Sequence, residues 1–501
     1  MSEIERFRAD VEAFLVQRGW SPTRFGREIA GDPLFVFDLR EGREPRADTR
    51  ERIAAAMAKE GGARGGSVPL RIGLAGVGTV GAALVRILAD DADAIARRIG
   101  RPLKVTAVSA RSRTKQRGCD ISQMAWFDDP VALARNSEID IFVELMGGED
   151  GPALAAVTAA LESGKPVITG NKALLARHGM ALAKLAEANG TALGFEAAVA
   201  GGIPVIKMLR EALGSARVTR VYGMMNGTCN YILSRMTEER IGFAEALEAA
   251  QRLGYAEADP SFDVDGFDAA HKLAILTALC FRSEIAADEI FVEGIRSIDP
   301  ADIRVAGDLG FVIKLLGIAT RSEDGIEQRV HPTLVPKSSA IASVRGVLNA
   351  VALETNHVRE LLLAGPGAGG EATAASALAD IIDIARGNRM PPLGTPVAEL
   401  APYRRAPMRA HAGGYYVRLA VRDIPGALAA IASRMGTAGI SLESVIQRPD
   451  LAVAEGAQKD VRTVVLITHE TVEATIRDTL AKIAGDGFIL GTPQLIRIER
   501  L

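Results

Sequence analysis

Hydrophobic and polar positions follow a helical period in the first part of the chain. The segments EIERFRADVEAFLVQRG, SPTRFGREIA, PLFVFDLREG and ADTRERIAAAMAKE predict four short helices within residues 1–60. Ser21 precedes the second helix as a candidate N-cap. The tripeptide Gly31-Asp32-Pro33 predicts a tight turn into the third helix. The chain is therefore expected to begin with a small all-α domain.

Short apolar strands alternate with helical segments from residue 69 onward. LRIGLA, LKVTAVSA, IDIFVEL, KPVIT and TALGFEAAVAGGIP have the length and composition of buried strands. Strands separated by helices are typical of a parallel sheet with helices on both faces. The pattern predicts an α/β fold with a doubly wound Rossmann domain.

A different order appears near the end of the chain. YYVRLAV alternates like a strand, and the chain turns helical at Pro425. RTVVLITH, VEATIRDTLAKI and TPQLIRIE then complete a βαββαβ order, which is typical of a small ferredoxin-like domain.

Glycine-rich and proline-rich stretches mark the expected boundaries. GGARGGS has the composition of a flexible linker, and the prolines between residues 388 and 414 disfavour a helix there. The predicted organisation is a helical domain at 1–60, a linker at 61–68, a Rossmann domain at 69–200, a substrate domain at 201–387 that returns to the Rossmann domain near 365–387, a linker at 388–414 and a regulatory domain at 415–501.

Composition and charge exclude several classes of protein. The chain has 501 residues, 48% of them hydrophobic, and its 59 basic and 62 acidic side chains give a net charge of −3. This balance creates no general attraction to nucleic acid or to an anionic membrane. The N-terminus lacks the apolar core of a signal peptide, and the three cysteines match no zinc or disulfide spacing. We expect a cytoplasmic protein with no membrane partner.

A glycine turn follows the first predicted strand. Gly76, Gly78 and Gly81 have the G-x-G-x-x-G spacing, and Thr79 and Val80 begin the helix that follows. In this context the glycines allow a tight turn, the approach of a pyrophosphate and close packing of helix on strand. The helix start would face the phosphates with unpaired N–H groups. We interpret the turn as a dinucleotide site; a purely structural tight turn is the alternative.

The residues after the second strand indicate which dinucleotide is bound. An NAD enzyme usually carries an acidic residue near Ala110, but this chain has Arg111, Arg113 and Lys115 after it. Positive charge there suits the 2′-phosphate of NADP, so NADP is favoured over NAD. A simply solvated basic loop is the alternative.

The stretch YAEADPSFDVDGFDAAHK concentrates carboxylates before a helix. A calcium loop would require Ser261 as its first ligand and Lys272 as its twelfth, so it is excluded. Asp265 is the expected N-cap of the helix FDAAHKLAILTALCF, in which Asp268 and Lys272 are four residues apart on one face. Since that helix is mostly apolar, we expect Lys272 at the edge of a cleft.

Lys172 follows the strand ending in VIT, at the edge of the sheet where ligands of open α/β proteins gather. An ordinary surface lysine is the alternative interpretation.

Several long motifs resemble those of the homoserine dehydrogenase family between about Pro69 and Gly387. They are GVGTVG, TGNKALLA, EAAVAGGIP, NGTCNYIL, GYAEADPSFDVDGFDAAHKL and GPGAGGEATAASALAD. The resemblance implies an α+β substrate and dimerisation domain. It also implies reversible oxidation of L-homoserine to L-aspartate 4-semialdehyde with a nicotinamide cofactor.

The resemblance assigns roles to individual residues. It implies that Lys272 is the catalytic lysine and that Lys172 lies between cofactor and substrate. It implies that Glu257 holds the substrate ammonium and that Asp263 and Asp268 belong to the same pocket. A monovalent cation site, for Na⁺ or K⁺, is implied at Glu196, Val199, Gly201 and Ile203, and contacts near the cofactor at Gly369 and Gly370.

The C-terminal domain resembles the ACT domain, a module that binds amino acids. Its D-x-P-G loop is present here as Asp423, Pro425 and Gly426. The resemblance implies regulation, with L-threonine as the expected inhibitor, and assembly as a homodimer or homotetramer. A ferredoxin-like domain that serves only dimerisation is the alternative.

The N-terminal helices are similar to a repressor-type helix-turn-helix. Residues 1–66 hold twelve basic and twelve acidic side chains, so the charge expected of a DNA-binding domain is missing. A local basic face remains conceivable on the arginines at 40, 43, 46, 50 and 52, but a docking or oligomerisation role is favoured. The rival interpretation of the whole chain is a DNA-binding regulator that senses metabolites. Lys172, Glu257 and Lys272 argue instead for an active enzyme.

Overall fold

The structure is a computed structural model and describes residues 3–18, 20–62, 68–447 and 460–500. The chain divides into two units, Met1–Leu70 with Asp91–Lys104, and Arg71–Asp90 with Val105–Leu501. Of the linker predicted at 61–68, residues 63–67 lie outside the described residues, while Gly61 and Gly62 belong to a helix. No helix among the described residues is long and apolar enough to cross a membrane.

The first unit contains the helices predicted for the N-terminus. They are α1 (Glu3–Arg18), α2 (Pro22–Phe25), α3 (Phe35–Arg40) and α4 (Ala47–Gly62). The prediction of four helices is confirmed, and the second continues through a π-helical turn at Gly26–Ala30. Ser21 caps α2 as predicted, since its Oγ accepts a hydrogen bond from the Arg24 N–H at 3.2 Å. Val11, Phe25, Val36 and Ile53 are fully buried and form the centre of a small apolar core.

The nucleotide-binding part contains a six-stranded sheet with the order β3-β2-β1-β4-β5-β6. Its elements are β1 (Leu70–Ala75), α5 (Thr79–Asp90), α6 (Ala92–Ile99), β2 (Leu103–Ser109), β3 (Ala125–Phe127), α7 (Pro130–Arg135), β4 (Ile141–Glu144), α8 (Pro152–Glu162), β5 (Val167–Thr169), α9 (Lys172–Ala188) and β6 (Leu193–Gly194). The registers are parallel, as where Leu74 lies opposite Val143. The predicted Rossmann fold is confirmed.

The substrate part combines helices with an antiparallel sheet. Its elements are α10 (Val205–Lys207), β7 (Val218–Met224), α11 (Gly227–Glu239), α12 (Phe243–Arg252), α13 (Ser261–Val264), α14 (Phe267–Phe281), β8 (Phe291–Val292), α15 (Pro300–Asp308), β9 (Phe311–Ser322), β10 (Gly325–Pro336), β11 (Leu348–Thr355), β12 (Arg359–Pro366) and α16 (Gly370–Ala385). Helix α16 brings the chain back to the residues that follow β6, because Asp380 Oδ2 accepts a hydrogen bond from the Glu196 N–H at 2.8 Å.

Helix α14 shows one error in the sequence interpretation. Its extent agrees with the predicted helix, but its N-cap is Gly266, with φ 93°, and no side chain caps it. The Asp265 carboxylate instead accepts hydrogen bonds from the Arg296 guanidinium at 2.5 and 3.2 Å. The predicted cap is wrong for two reasons. The Asp265 carboxylate binds Arg296 instead of the helix N–H groups, and the helix begins one residue later, after the left-handed Gly266.

The C-terminal part has the predicted βαββαβ order. Its elements are β13 (Ala412–Arg422), α17 (Ala427–Thr437), β14 (Leu442–Gln447), β15 (Val461–Thr468), β16 (Thr471–Val472), α18 (Glu473–Gly485) and β17 (Ile489–Ile498). Strand β17 also pairs in parallel with β10, where Thr333 lies opposite Arg497. The antiparallel strands of the substrate part and those of the C-terminal part therefore belong to one eleven-stranded sheet.

The proline-rich segment 388–414 lies against the substrate part rather than hanging free. It contains short 3₁₀ turns but no α-helix. Ala401 N–H donates to the Arg282 carbonyl at 3.0 Å, and Ile326 N–H donates to the Arg404 carbonyl at 2.8 Å. These backbone bonds fix the path of the linker along the domain.

Candidate active site

The glycine turn after β1 has the shape that a phosphate site requires. Gly76 has φ 98°, and a side chain there would overlap the carbonyl oxygen of Leu145. A side chain at Gly81 would overlap the Gly76 carbonyl, so α5 packs closely on the turn. A Cβ at Gly78 would meet nothing within 4 Å, so the backbone is open to a ligand at this residue. The residues fit a pyrophosphate at the start of α5.

The second glycine loop meets this turn. A Cβ at Gly370 would lie 3.0 Å from Thr79 Cγ2, next to Val80 in the first turn of α5. Gly369 precedes it with φ 112° and ends the loop that leads into α16. The two predicted cofactor-binding segments are thus brought together.

Arg111 and Lys115 lie in the loop after β2, and both are exposed. Neither forms an ion pair with a carboxylate among the residues that the structure describes. Arg113 differs, because its guanidinium lies 6.0 Å from the centre of the Trp126 ring. Arg111 and Lys115 are two cations of this loop that are available to an anionic ligand.

Two lysines share one carboxylate at the centre of the site. Lys272 Nζ donates to Asp268 Oδ2 at 2.7 Å and to the Met225 carbonyl at 2.7 Å. Lys172 Nζ lies 2.7 Å from Asp268 Oδ1. The Lys272 residue is 7% exposed, whereas the Lys172 side chain is 34% exposed. The structure therefore buries Lys272 rather than placing it at a cleft edge, and Lys172 is the more accessible of the two.

Burial and charge shift the three groups in different directions. Burial lowers the pKa of Lys272, and the Asp268 carboxylate only partly offsets this because Lys172 lowers it further. Burial also disfavours charge on Lys172, but Asp268, Asp263 and Glu257 raise its pKa above the ordinary value. Burial opposes ionisation of Asp268, yet the two ammonium groups hold its pKa well below the usual range. Lys272 is consequently the lysine that loses its proton more readily.

Asn226 organises the same centre and was missed by the sequence interpretation. Its Nδ2 donates to Asp263 Oδ1 at 2.7 Å and to Asp268 Oδ2 at 2.8 Å. Its Oδ1 accepts the Cys229 N–H at 2.8 Å and so caps α11. The Asn-Gly pair at the start of NGTCNYIL signalled this cap, but the sequence does not reveal the bonds to two carboxylates.

The other residues predicted for the substrate site lie around this group. Asp263 is held by Thr228 Oγ1 at 3.3 Å, and burial together with the nearby Asp268 raises its pKa. Glu257 is exposed in the loop before α13, and its negative charge is close enough to raise the pKa of Lys172. The structure thus brings Lys172, Lys272, Asp263 and Asp268 together and leaves Glu257 at the exposed side.

Glu144 is a second residue that the sequence interpretation missed. It is fully buried at the end of β4 and accepts hydrogen bonds from the Met146 N–H at 2.6 Å and the Thr169 hydroxyl at 2.6 Å. Thr169 Oγ1 in turn accepts the Asn171 N–H at 3.0 Å, immediately before Lys172. Glu144 therefore ties the loop after β4 to the start of α9, which carries Lys172.

The predicted cation-site residues lie in a buried turn after β6. Both Glu196 carboxylate oxygens accept backbone hydrogen bonds, from the Ile206 N–H at 2.9 Å and the Lys207 N–H at 2.7 Å. Val199, Gly201 and Ile203 follow, and the Gly201 carbonyl accepts the Ser376 hydroxyl at 2.6 Å. Burial and the neighbouring Asp380 carboxylate raise the pKa of Glu196 to about 7. Carboxylate and carbonyl oxygens are the ligand type of hard cations, and those of Glu196 and Gly201 accept hydrogen bonds from protein groups in this structure.

The D-x-P-G loop of the C-terminal part is exposed. Gly426 has φ 91° and begins α17, and Pro425 precedes it. Asp423 Oδ2 lies 3.2 Å from Arg462 Nη2. The start of α17 is thus accessible to a ligand.

The N-terminal arginines are engaged within their own unit. Arg40 pairs with Glu12 at 2.6 Å, and Arg43 pairs with Asp38. Arg50 and Arg52 donate to the carbonyls at positions 45 and 30. Four of the five arginines proposed as a local basic face therefore have partners already.

The Rossmann sheet, the open glycine turn and the two lysines on one buried carboxylate define a nicotinamide-dependent dehydrogenase. The family model for the NAD-binding domain of homoserine dehydrogenase matches residues 76–196, the homoserine dehydrogenase model matches 204–382, and the ACT domain model matches 415–485. The chain belongs to the homoserine dehydrogenase family, with an ACT domain at its C-terminal end.

Relatives confirm this over most of the chain. A homoserine dehydrogenase of Neisseria gonorrhoeae is 42% identical over 441 residues, which cover 86% of this chain and 99% of that protein. One of Pseudomonas aeruginosa is 41% identical over 440 residues, with coverage of 86% and 99%. The crystal structure of a homoserine dehydrogenase from Thiobacillus denitrificans superposes with a TM-score of 0.81 at 40% identity and covers 86% of this chain and 99% of its own. A hyperthermophilic archaeal homoserine dehydrogenase in complex with NADPH has a TM-score of 0.55 at 28% identity, with coverage of 63% and 97%.

Proposed function

We propose that this protein interconverts L-homoserine and L-aspartate 4-semialdehyde, with Lys272 as the group that exchanges the proton of the substrate oxygen. The observation that carries the proposal is the Lys272–Asp268–Lys172 arrangement. A carboxylate between two lysines keeps one lysine charged, while burial favours the neutral form of the other. A neutral amine within reach of the hydroxyl can act as the general base that takes its proton.

When bound, the nicotinamide cofactor accepts or supplies the hydride. In the oxidising direction neutral Lys272 takes the hydroxyl proton, and the Met225 carbonyl and Asp268 hold its Nζ in place. In the reducing direction the ammonium form returns the proton to the developing alkoxide. Lys172 stays protonated and supplies positive charge between the cofactor and the substrate.

The carboxylates of the pocket bind the ammonium of the substrate. Glu257 is exposed and has no ion pair within 4 Å among the described residues, so its charge is available to a ligand. Asp263 lies deeper and is fixed by Asn226. We assign the substrate ammonium to Glu257 and the shaping of the pocket to Asp263 and Asp268.

NADP is the cofactor that the basic loop favours. Arg111 and Lys115 are exposed, with no carboxylate partner among the described residues, and follow the strand whose end faces the ribose in Rossmann proteins. The archaeal relative that binds NADPH supports the same choice. NAD binding would require no such cations.

A monovalent cation, Na⁺ or K⁺, is assigned to the turn of Glu196, Val199, Gly201 and Ile203. Its charge would offset the buried carboxylates of Glu196 and Asp380. The proposed role is to hold the turn between β6 and α10, and no chemical step passes through it.

Regulation is assigned to the ACT domain, with L-threonine as the inhibitor. The exposed start of α17 after Gly426 offers backbone N–H groups to a ligand carboxylate. Assembly as a homodimer or homotetramer accompanies this role. For the N-terminal helices we retain a docking role over DNA binding, because their arginines are largely paired.

A spectrophotometric assay tests the central proposal. The protein should reduce NADP in the presence of L-homoserine and should do so less efficiently with NAD, followed at the absorbance of the reduced nicotinamide. No reduction of either cofactor would overturn the proposed activity.

A further inference from the structure

A network of ion pairs, with Arg497 and Glu473 buried and Arg477 and Glu293 partly exposed, lies where the ACT domain joins the substrate part. Arg497 is 1% exposed and donates from Nε to Glu473 Oε2 at 3.0 Å and from Nη2 to Glu473 Oε1 at 2.5 Å. Arg477 also donates to Glu473, at 2.6 Å. All three residues belong to the ACT domain, on α18 and β17. Two arginines on a single carboxylate leave guanidinium N–H groups for another acceptor.

That acceptor is Glu293, in the substrate part. Arg477 Nη2 donates to Glu293 Oε1 at 2.7 Å, and Arg497 Nη1 donates to Glu293 Oε2 at 2.6 Å. The guanidinium of Arg497 also lies 4.9 Å from the centre of the Phe291 ring. One short stretch, residues 291–296, which we call the coupling segment, is therefore held by the ACT domain at its first half.

The second half of the coupling segment lies against the loop of the substrate pocket. A Cβ at Gly294 would lie 2.6 Å from Asp265 Cα, so no other residue fits there without a shift. Ile295 N–H donates to the Val264 carbonyl at 2.9 Å. Arg296 clamps Asp265 with two bonds and reaches Ser261 Oγ at 3.0 Å.

These contacts surround α13, the short helix that carries Asp263. Asp263 is joined through Asn226 Nδ2 to Asp268, the carboxylate between the two lysines. A path from Arg477 and Arg497 to the lysine centre thus runs through their ion pairs with Glu293, along the backbone to Arg296, through the Arg296–Asp265 pair, and along the backbone of α13 to Asp263. Charge-assisted bonds of this kind are short and directional, so a shift at one end is resisted at the other.

A cavity of about 330 Å³ borders the coupling segment. It is lined by Asp265, Glu293, Arg296, Arg477 and Leu495, among others. The cavity leaves open space beside the ion pairs of Glu293, Arg296 and Arg477.

We propose that the coupling segment is a positioning element through which the ACT domain sets the place of Asp263, and with it the affinity for the amino-acid substrate. Glu293 and Arg296 act through Asp263 and do not touch the substrate. The inference rests on the proposed role of Asp263 in the substrate pocket. It predicts that the ACT domain acts on substrate binding even without an effector.

The test is Glu293→Gln in the full-length protein, compared with Arg296→Gln. Each should raise KM for homoserine by about fivefold, because mutations along such a path change coupling modestly. The value of kcat and the KM for NADP should stay within a factor of ~2. Arg434→Gln is the matched control, since it removes an exposed arginine–carboxylate pair that lies wholly within the ACT domain. It should leave both KM values unchanged.

A double-mutant cycle with Asp263→Asn separates the possible failures. Asp263→Asn alone should raise KM for homoserine, and Glu293→Gln should add little in that background because it acts through Asp263. If Asp263→Asn leaves KM unchanged, the proposed pocket is wrong and this inference falls with it. If Asp263→Asn acts but Glu293→Gln behaves like Arg434→Gln, only the inference is overturned. A loss of thermal stability with equal rises in both KM values would likewise refute a positioning role.

Discussion

Lys272 and Lys172 touch opposite oxygens of the same carboxylate at the same distance, yet their environments differ. Lys272 is buried, and its other partner is a neutral carbonyl, whereas Lys172 is partly exposed and close to further acidic groups. Charge is therefore favoured on Lys172 and disfavoured on Lys272. This difference underlies the proposed roles of the two lysines, with Lys272 moving a proton and Lys172 holding a charge.

Replacing Lys272 should remove the proton-transfer step. Lys272→Ala is expected to lower kcat by roughly 10²-fold or more, the usual scale for a positioned acid–base group. Steady-state rates with homoserine and NADP check this, together with a melting temperature to confirm folding. Lys184→Ala, on the exposed face of α9, is the matched control and should not change kcat. Near-normal turnover in Lys272→Ala would assign the proton to another route.

The pH profile should report the same lysine. The rate of homoserine oxidation is expected to rise with pH as Lys272 loses its proton and to level off below the ordinary lysine pKa, because burial lowers the pKa of Lys272. The negative charge of Asp268 opposes that shift. Asp268→Asn should therefore move the rising limb to lower pH, measured as kcat against pH. A move to higher pH would show that another group titrates.

The basic loop should read the 2′-position of the cofactor. Replacing Arg111 and Lys115 together with alanine should raise KM for NADP by about tenfold or more, since each cation lost is a charge-assisted contact to a dianionic phosphate. The KM for NAD should change little. Lys104→Ala is the control, because that exposed lysine lies on β2 before the loop. Equal changes for both cofactors would mean that the loop does not contact the 2′-phosphate.

At the scale of elements, the hydrophobic pattern and the turn residues predicted most helices and strands correctly, because local interactions determine them. The strands of the Rossmann sheet, the helix at Phe267–Phe281 and the βαββαβ order follow from periodicity and turn residues. The same patterns located Lys172 at the carboxyl edge of the sheet. Sequence similarity to a family supplied the roles of the site residues, which periodicity alone would not give.

Contacts between distant residues decided what the sequence did not show. Asp265 was assigned as a helix cap because nothing nearby indicated Arg296 as its partner. Asn226 binds Asp263 and Asp268, which are 37 and 42 residues away, and Glu144 bonds Thr169 across two strands. Such pairs depend on how elements pack, so a single sequence carries no signal for them.

The loop at the start of α17 is where we expect the inhibitor threonine to bind. Gly426 has φ 91°, a conformation that a side chain strains, and it borders the proposed effector site. Gly426→Asp should abolish inhibition by threonine while sparing kcat, because a charged side chain would occupy the place of the ligand carboxylate. Inhibition curves for the wild-type and variant proteins test this. Inhibition that persists unchanged in Gly426→Asp would show that threonine binds elsewhere, for example in competition at Glu257.

At the scale of the whole molecule, the ranges that match the family models begin at residue 76, and the helical unit before it lies outside them. The rest of the chain holds the catalytic and regulatory parts. These parts were predicted as separate domains joined by a linker. The pairing of β17 with β10 was not predicted, because both strands also have partners within their own domain.

The shared eleven-stranded sheet has a consequence for attempts to dissect the enzyme. Removing the residues after Tyr403 would strip β17 from Thr333 and Leu334 of β10 and leave the outer backbone groups of this part of the strand without partners. An exposed edge of this kind invites pairing with another chain. The shortened protein should therefore self-associate beyond the state of the intact chain, detectable as additional higher-mass species by light scattering. A charge placed on the exposed strand, as in Thr333→Lys, should suppress this self-association. A shortened enzyme that stays soluble and unassociated without such a change would contradict the prediction.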